Sequence, residues 1–251
     1  MGRITDTVKI LIIINVIFYV GSLFVLDTEV AYRLFSLYYF EHPDFQFWQP
    51  ITHMFMHDRN GLMHIFFNMF GLYMFGSPLE ARWGQKKFLF FYFSAGLGAA
   101  LIHSLVGYYQ VHNAMDALIN AGLSPSDLKN LMETGQYNSG ILTKVPLETL
   151  ETLFLEYNTP AVGASGALYG ILVAFGLMYP NTSLMLIFLP VPIKAKYFIP
   201  RLIIMDLFSG LTGFSVFGQN IANWAHIGGA LFGFIMAYYW KKNDLNNTRW
   251  D

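Results

Sequence analysis

The chain is expected to fold as an all-α, polytopic membrane protein with six transmembrane helices. Three observations predict this. Apolar residues make up 55% of the 251 and charged residues only 12%, about half the usual charged share. The apolar residues are gathered into long runs, the signature of membrane spans. The basic residues fall mainly on alternate connections between those runs, as the positive-inside rule requires.

Met1 to Thr7 is short and polar, and about Val8 to Leu26 is the first apolar run. It is too long for a signal-peptide core and no small-residue cleavage site follows, so a retained first helix is expected. Asp27 to Asn60 reads as a loop with Pro43 and Pro50. Its Tyr38, Tyr39, Phe40 and Trp48 suit the membrane interface, where amphipathic rings collect. A second span runs about Gly61 to Pro78 and is closed by the charged turn Glu80-Ala-Arg82-Trp83-Gly84, with Glu80 and Arg82 expected as a structural ion pair. A third covers about Phe88 to Tyr109.

Gln110 to Pro160 is the one long polar stretch and reads as an extramembrane insert. Ser124 looks like a helix start and Gly135 a stop, while Leu147, Leu150 and Phe154 lie at helical spacing, so two short amphipathic helices are expected. The fourth span is about Gly163 to Tyr179, ended by Pro180. Asn181 to Pro200 is a connector with three prolines and an apolar stretch from Leu184 to Leu189. The fifth span runs about Arg201 to Phe214 and the sixth about Ile221 to Trp240. Residues 1–251 read as a single membrane domain without internal repeats.

With both termini cytoplasmic, eleven of the fifteen Lys and Arg fall inside, among them Lys241, Lys242 and Arg249; only Arg33, Arg59, Lys129 and Lys144 lie outside. An even number of spans agrees with this orientation. A multi-pass protein of a prokaryotic inner membrane is expected. The absence of cysteine excludes disulfides, thiolate metal sites and thiol nucleophiles. A net charge of −1 gives no sign of a nucleic-acid partner, and none is expected.

The chemistry gathers around Val162-Gly-Ala-Ser165-Gly-Ala-Leu-Tyr-Gly170. Gly163 and Gly166 let backbone approach Ser165 closely, and a helix starting there offers amides and a partial positive charge to a developing anion. Small-residue packing between membrane helices is the alternative reading of Gly-x-Ser-Gly. The topology weighs against packing alone. Spans two, four and six would all start at the outer face, which puts His64, Asn68, Ser165 and His226 at similar depth, within about 5–12 Å of their helix starts. Polar groups at that depth face a protein interior or a wet cavity. A serine, a histidine and two further donors meeting there make a nucleophile, a general base and an oxyanion hole. Tyr169, one turn below Ser165, is placed to pack on the His226 imidazole. Gly166 and Gly170 on one span match Gly229 and Gly233 on another, so the two helices are expected to meet closely.

At these residues the chain resembles the rhomboid family of intramembrane serine proteases. Gly163-Ala-Ser165-Gly166 is similar to the family's Gly-x-Ser-Gly, Ala225-His226-Ile-Gly228-Gly229 to its Ala-His-x-x-Gly, and His64-Ile-Phe-Phe-Asn68 to its His-x-x-x-Asn. The charged turn after the second span also resembles the family's. The resemblance implies Ser165 as nucleophile, His226 as base, His64 and Asn68 in the oxyanion hole, and a dyad without a carboxylate third member. It implies no cofactor, the lipid bilayer as surroundings, and as substrates the transmembrane segments of other proteins, cut near their outer ends. Trp48-Gln49 stands where the family often has Trp-Arg, and the insert is longer than in compact members. A substrate-restricting cap and a partner-docking surface are both open for the insert.

Other polar residues carry blander expectations. His53, His57 and His64 have spacing that could hold a metal, but no Cys and no His-Glu-x-x-His accompanies them, so no metal is expected. Asp206, midway along the fifth span, has no match in the family's chemistry and is expected as a protonated or hydrogen-bonded structural carboxyl. His103 is expected to be packed rather than catalytic. Two other functional classes compete. A silent relative that binds membrane segments would usually lack nucleophile or base, and this chain has both. A transporter would need repeated halves or broken helices around a midplane site, and neither is found.

Overall fold

The computed structural model describes residues 3–59, 61–186, 189–214 and 222–247. Met1, Asn60, Ile187, Phe188, Ile221 and Arg249 lie outside the described residues. Helix α1 (Asp6–Phe24) buries Val8, Leu11, Asn15, Tyr19 and Ser22, a stripe at three- and four-residue spacing. Its Ile10, Ile13, Ile17 and Phe24 are exposed, an apolar outer face suited to lipid.

The loop after α1 is held by its own polar side chains. Asp27 caps α2 (Thr28–Phe35) by accepting from the amides of Glu29 and Val30. Gln49, fully buried at the start of α3 (Gln49–Thr52), donates to the carbonyls of Arg33 and Asp44 and accepts from the Tyr38 amide. Trp48 donates to the Leu34 carbonyl at 2.8 Å. So the Trp48-Gln49 pair, which departs from the expected Trp-Arg, fastens this loop through backbone groups. A short 3-10 turn, His53–Phe55, follows.

Helices α4 (Leu62–Gly71) and α5 (Ser77–Trp83) form one rod, joined by a π turn over Leu72–Gly76. Pro78 lacks an amide and its ring crowds the preceding turn, which accounts for the widening. Glu80 does not pair with Arg82, which is exposed. Its buried carboxylate instead accepts from the Thr5 hydroxyl and from the amides of Thr7 and Val8. Those amides are orphans of the first turn of α1, and an anion there is favoured by the helix dipole.

Helix α6 (Gln85–Asn120) runs eleven residues past the expected end at Tyr109. No Gly or Pro interrupts it between Tyr108 and Asn120, and Val111, Ala114 and Leu118 are buried rather than exposed. They are covered by the insert, whose helices α7 (Pro125–Thr134) and α8 (Leu147–Asn158) supply Leu128, Leu131, Leu150 and Leu153 to a second apolar cluster. Ser124 caps α7 by accepting from the Asp127 amide, and Gly135, with φ 73°, ends it.

Helix α9 (Ser165–Met178) is followed by a feature absent from the expectations: strands β1 (Ser183–Leu186) and β2 (Leu189–Lys194) pair antiparallel, Ser183 opposite Lys194. Helix α10 (Ala195–Thr212) then begins six residues before the expected Arg201, with Pro200 inside it. Helix α11 (Asn223–Asn247) completes the described chain. Among the described residues, α1, the Leu62–Trp83 rod and α6 are long and apolar enough to cross a membrane, and α9 is a shorter apolar helix.

The main core joins α1, the rod, α6, α9, α10 and α11. Its tightest seam is made of backbone. A methyl group on Gly229 would collide with the Gly166 carbonyl, and one on Gly233 with the Gly170 Cα. A methyl on Gly228 would stand 2.9 Å from the Gly98 carbonyl oxygen, so α6 closes the other side of α11. Two further ties secure the approach to α9. Leu37 and Ala161 exchange backbone hydrogen bonds of 2.9 and 2.8 Å, and the Gly163 amide donates to the His53 carbonyl.

Candidate active site

Ser165 is the first residue of α9 and is half-buried. Gly163 just before it has φ 122°, a conformation open to glycine and strained for other residues. His226 lies in the first turn of α11 and is buried. Because the glycine seam holds the two helices together, the His226 Nε2 and Ser165 Oγ meet at 2.8 Å. The Tyr169 ring, one turn further along α9, stacks on the imidazole with centroids 4.1 Å apart and planes at 8°. That contact fixes the ring's plane while leaving both nitrogens to other partners.

His64 comes from α4. A methyl on Gly163 would stand 2.9 Å from the His64 Nε2 and 3.6 Å from the Ser165 Oγ, so both polar atoms lie on one side of that glycine. The His64 Nδ1 accepts from the Asp58 amide at 3.2 Å. This assigns its proton to Nε2, the nitrogen that faces Gly163. Asn68 is buried, and its amide nitrogen donates to the His64 carbonyl one turn earlier at 2.9 Å. An amide nitrogen carries two hydrogens, so one remains.

Other histidines serve the scaffold. His53 is buried with its Nδ1 2.9 Å from the Gln49 carbonyl. His57 is buried beside His64, ring centroids 5.2 Å apart. Burial pushes the imidazoles of His53 and His57 down to about 4 and about 3, which keeps both neutral. Among the described residues no group of three His, Asp or Glu is arranged to hold a metal ion.

Asp206 was expected to be apart from the chemistry. It is buried on α10 with its Oδ1 3.3 Å from the His226 Nδ1. That is ion-pair distance without hydrogen-bond alignment, and neither Nδ1 nor the Asp206 Oδ2 has a hydrogen-bond partner among the described residues. A signal for this was present. Measured from its far end at Thr212, α10 carries Asp206 six residues in, about 9 Å at the usual helical rise. A carboxylate one to two turns from a helix end in an apolar span is itself that signal, since a polar group there faces a protein interior or a wet cavity; His64, Ser165 and His226 sit nearer their own helix starts, within the first four residues.

Comparison with known proteins agrees with this architecture. A family model described as "Rhomboid domain" matches residues 44–126 and 135–243. The chain is 25% identical over 234 residues to an uncharacterised mitochondrial rhomboid protein of Schizosaccharomyces pombe, covering 87% of this chain and 56% of that one. It is 27% identical over 200 residues to the rhomboid protease AarA of Providencia stuartii, covering 76% and 54%. It is also 27% identical over 189 residues to the human presenilin-associated rhomboid-like protein, mitochondrial, covering 73% and 37%. The chain thus spans about half the length, or less, of these curated relatives. Because mitochondrial proteins stand beside a bacterial one, the expectation of a prokaryotic inner membrane gives way to a coarser statement, an integral membrane protein. With the matched domain extending over most of its residues, the chain belongs to the rhomboid family.

Proposed function

We propose that the chain is an intramembrane serine endopeptidase that cleaves transmembrane segments of other membrane proteins. The single observation that carries this reading is the 2.8 Å contact between the Ser165 Oγ and the His226 Nε2, on a ring held by Tyr169. A serine hydroxyl is a poor nucleophile until a base removes its proton, and that distance is within the reach a general base needs. His226 takes the proton as the Ser165 Oγ attacks the substrate carbonyl. His226 then gives it to the leaving amine, and water releases the acyl group by the reverse sequence. The oxyanion forms beside Gly163, where the His64 Nε2–H, the free Asn68 N–H and the Ser165 amide are the available donors. The start of α9 adds the positive end of a helix dipole. No cofactor has a part in this chemistry.

The same reading takes residues 1–251 as one rhomboid-like membrane domain of six spans, with both termini on the side opposite the site. The AarA relative bears the name of a protease, which supports the reaction class. The test is labelling of the membrane-reconstituted chain by a fluorophosphonate, together with cleavage of a transmembrane reporter. Ser165→Ala and His226→Ala should each abolish both. A well-folded parent that neither labels nor cleaves would point instead to a protein that binds membrane segments without cutting them.

A further inference from the structure

An ionisable side chain inside a membrane bundle is costly unless it has a partner. Asp206 has its ion-pair contact with His226, and Tyr169, stacked on that imidazole, lies nearby. The titratable groups around the imidazole are Tyr169 on α9, Asp206 on α10, His103 on α6 and His64 on α4. Of these, Asp206 is the carboxylate, and it sits on the nitrogen that Ser165 does not use. Serine on Nε2 and carboxylate at Nδ1 is the two-sided arrangement of a Ser-His-Asp triad, in which the carboxylate orients the base.

We propose that Asp206 is a positioning residue for His226, completing a Ser165–His226–Asp206 relay. The inference rests on the protease reading above. The carboxylate selects the tautomer with the proton on Nδ1, which leaves the Nε2 lone pair for the Ser165 hydroxyl. When Nε2 takes the serine proton, the imidazolium and the carboxylate become an ion pair in a low-dielectric site. The proton stays on the imidazole throughout and leaves from Nε2 to the departing amine; Asp206 neither gains nor loses one. At 3.3 Å and off alignment, the Nδ1–H to Asp206 contact has room to tighten as the charge forms.

The experiment measures the rate of fluorophosphonate labelling against pH for the full chain in liposomes. Parent, Ser165→Ala, Asp206→Asn and Asp206→Glu are compared. Asp206→Asn should label about 100-fold more slowly, within the range by which a positioned base accelerates such steps. Removing an anion from beside His226 disfavours its protonated form. The acid-side midpoint of the labelling profile should therefore move to lower pH, by about one unit or more. Asp206→Glu should recover part of the rate and of the midpoint. A structural role alone would lower the labelled fraction without moving the midpoint. If Asp206→Asn does not fold, Asp206→Ser is read in the same way. Labelling within about twofold of the parent, or an unmoved midpoint, overturns the positioning role while leaving the protease reading intact. A parent that does not label, or a Ser165→Ala variant that still does, overturns both.

Discussion

Replacing Gly229 by alanine adds one methyl group where α11 touches α9 through backbone. That methyl would overlap the Gly166 carbonyl oxygen and stand 2.7 Å from its carbon and 3.3 Å from its Cα. No flexible side chain is there to swing aside. The helices must therefore part by roughly 1–2 Å, because a close-packed interior has no void to absorb the group. Overpacking of this kind costs about 1–3 kcal/mol in stability. The larger effect is on chemistry. The Ser165 Oγ and His226 Nε2 start at 2.8 Å, and parting the helices takes them beyond hydrogen-bond reach. A misplacement of about 1 Å costs on the order of 100-fold in rate. The assay is the fluorophosphonate labelling rate beside a thermal melt. Gly21→Ala is the control, since nothing lies within 4 Å of that position on α1, and it should gain up to about 1 kcal/mol from helix propensity. A folded Gly229→Ala protein that labels within about threefold of the parent would show that the glycine seam does not set the serine–histidine distance.

Three further outcomes are expected. Glu80→Gln removes the anion that accepts from Thr5, Thr7 and Val8 at the start of α1; it should cost about 1–3 kcal/mol in a denaturation series, with little change in labelling of surviving folded protein. Leu153→Ala, truncating a fully buried residue of the insert, should cost about 2–4 kcal/mol, read as earlier proteolysis within residues 121–160. Acidification should destabilise the chain through His53. Its imidazole titrates near 4 when folded and near 6.5 when unfolded. The unfolded state therefore binds the extra proton between those values, and stability present above pH 6.5 is lost as pH falls towards 4. Going from pH 7 to pH 5 should remove about 2 kcal/mol for this group, and His53→Gln should flatten that part of a melting-temperature profile.

The parts of the fold that could be read from sequence are those governed by local pattern. Long apolar runs fall on helices, Ser124 and Gly135 bound α7, and the matched glycines of α9 and α11 meet. What escaped depends on partners distant in the chain. The extension of α6 to Asn120 looks polar until α8 covers Val111 and Leu118. Glu80 looks like a partner for its neighbour Arg82, yet it caps a helix more than seventy residues earlier. The pairing of Ser183–Leu186 with Leu189–Lys194 was hidden by Pro190 and Pro192, which read as loop but sit in the second strand of a two-stranded pair, where edge positions tolerate a missing amide. In the site, Ser165 and His226 stand out because each sits in a first helical turn among small residues. Asp206 does not, since one carboxylate in an apolar run does not reveal the nitrogen it faces.

The hydrogen-bonded bridge between Leu37 and Ala161, with the Gly163 amide held on the His53 carbonyl, has a mechanical consequence. It behaves as a cable clamp between the insert and the first turn of α9. Thermal agitation of the insert, or a tug on it from outside, meets two backbone anchors, at Ala161 and Gly163, before it reaches Ser165. Movement of the insert is therefore damped at those two points before it reaches Ser165.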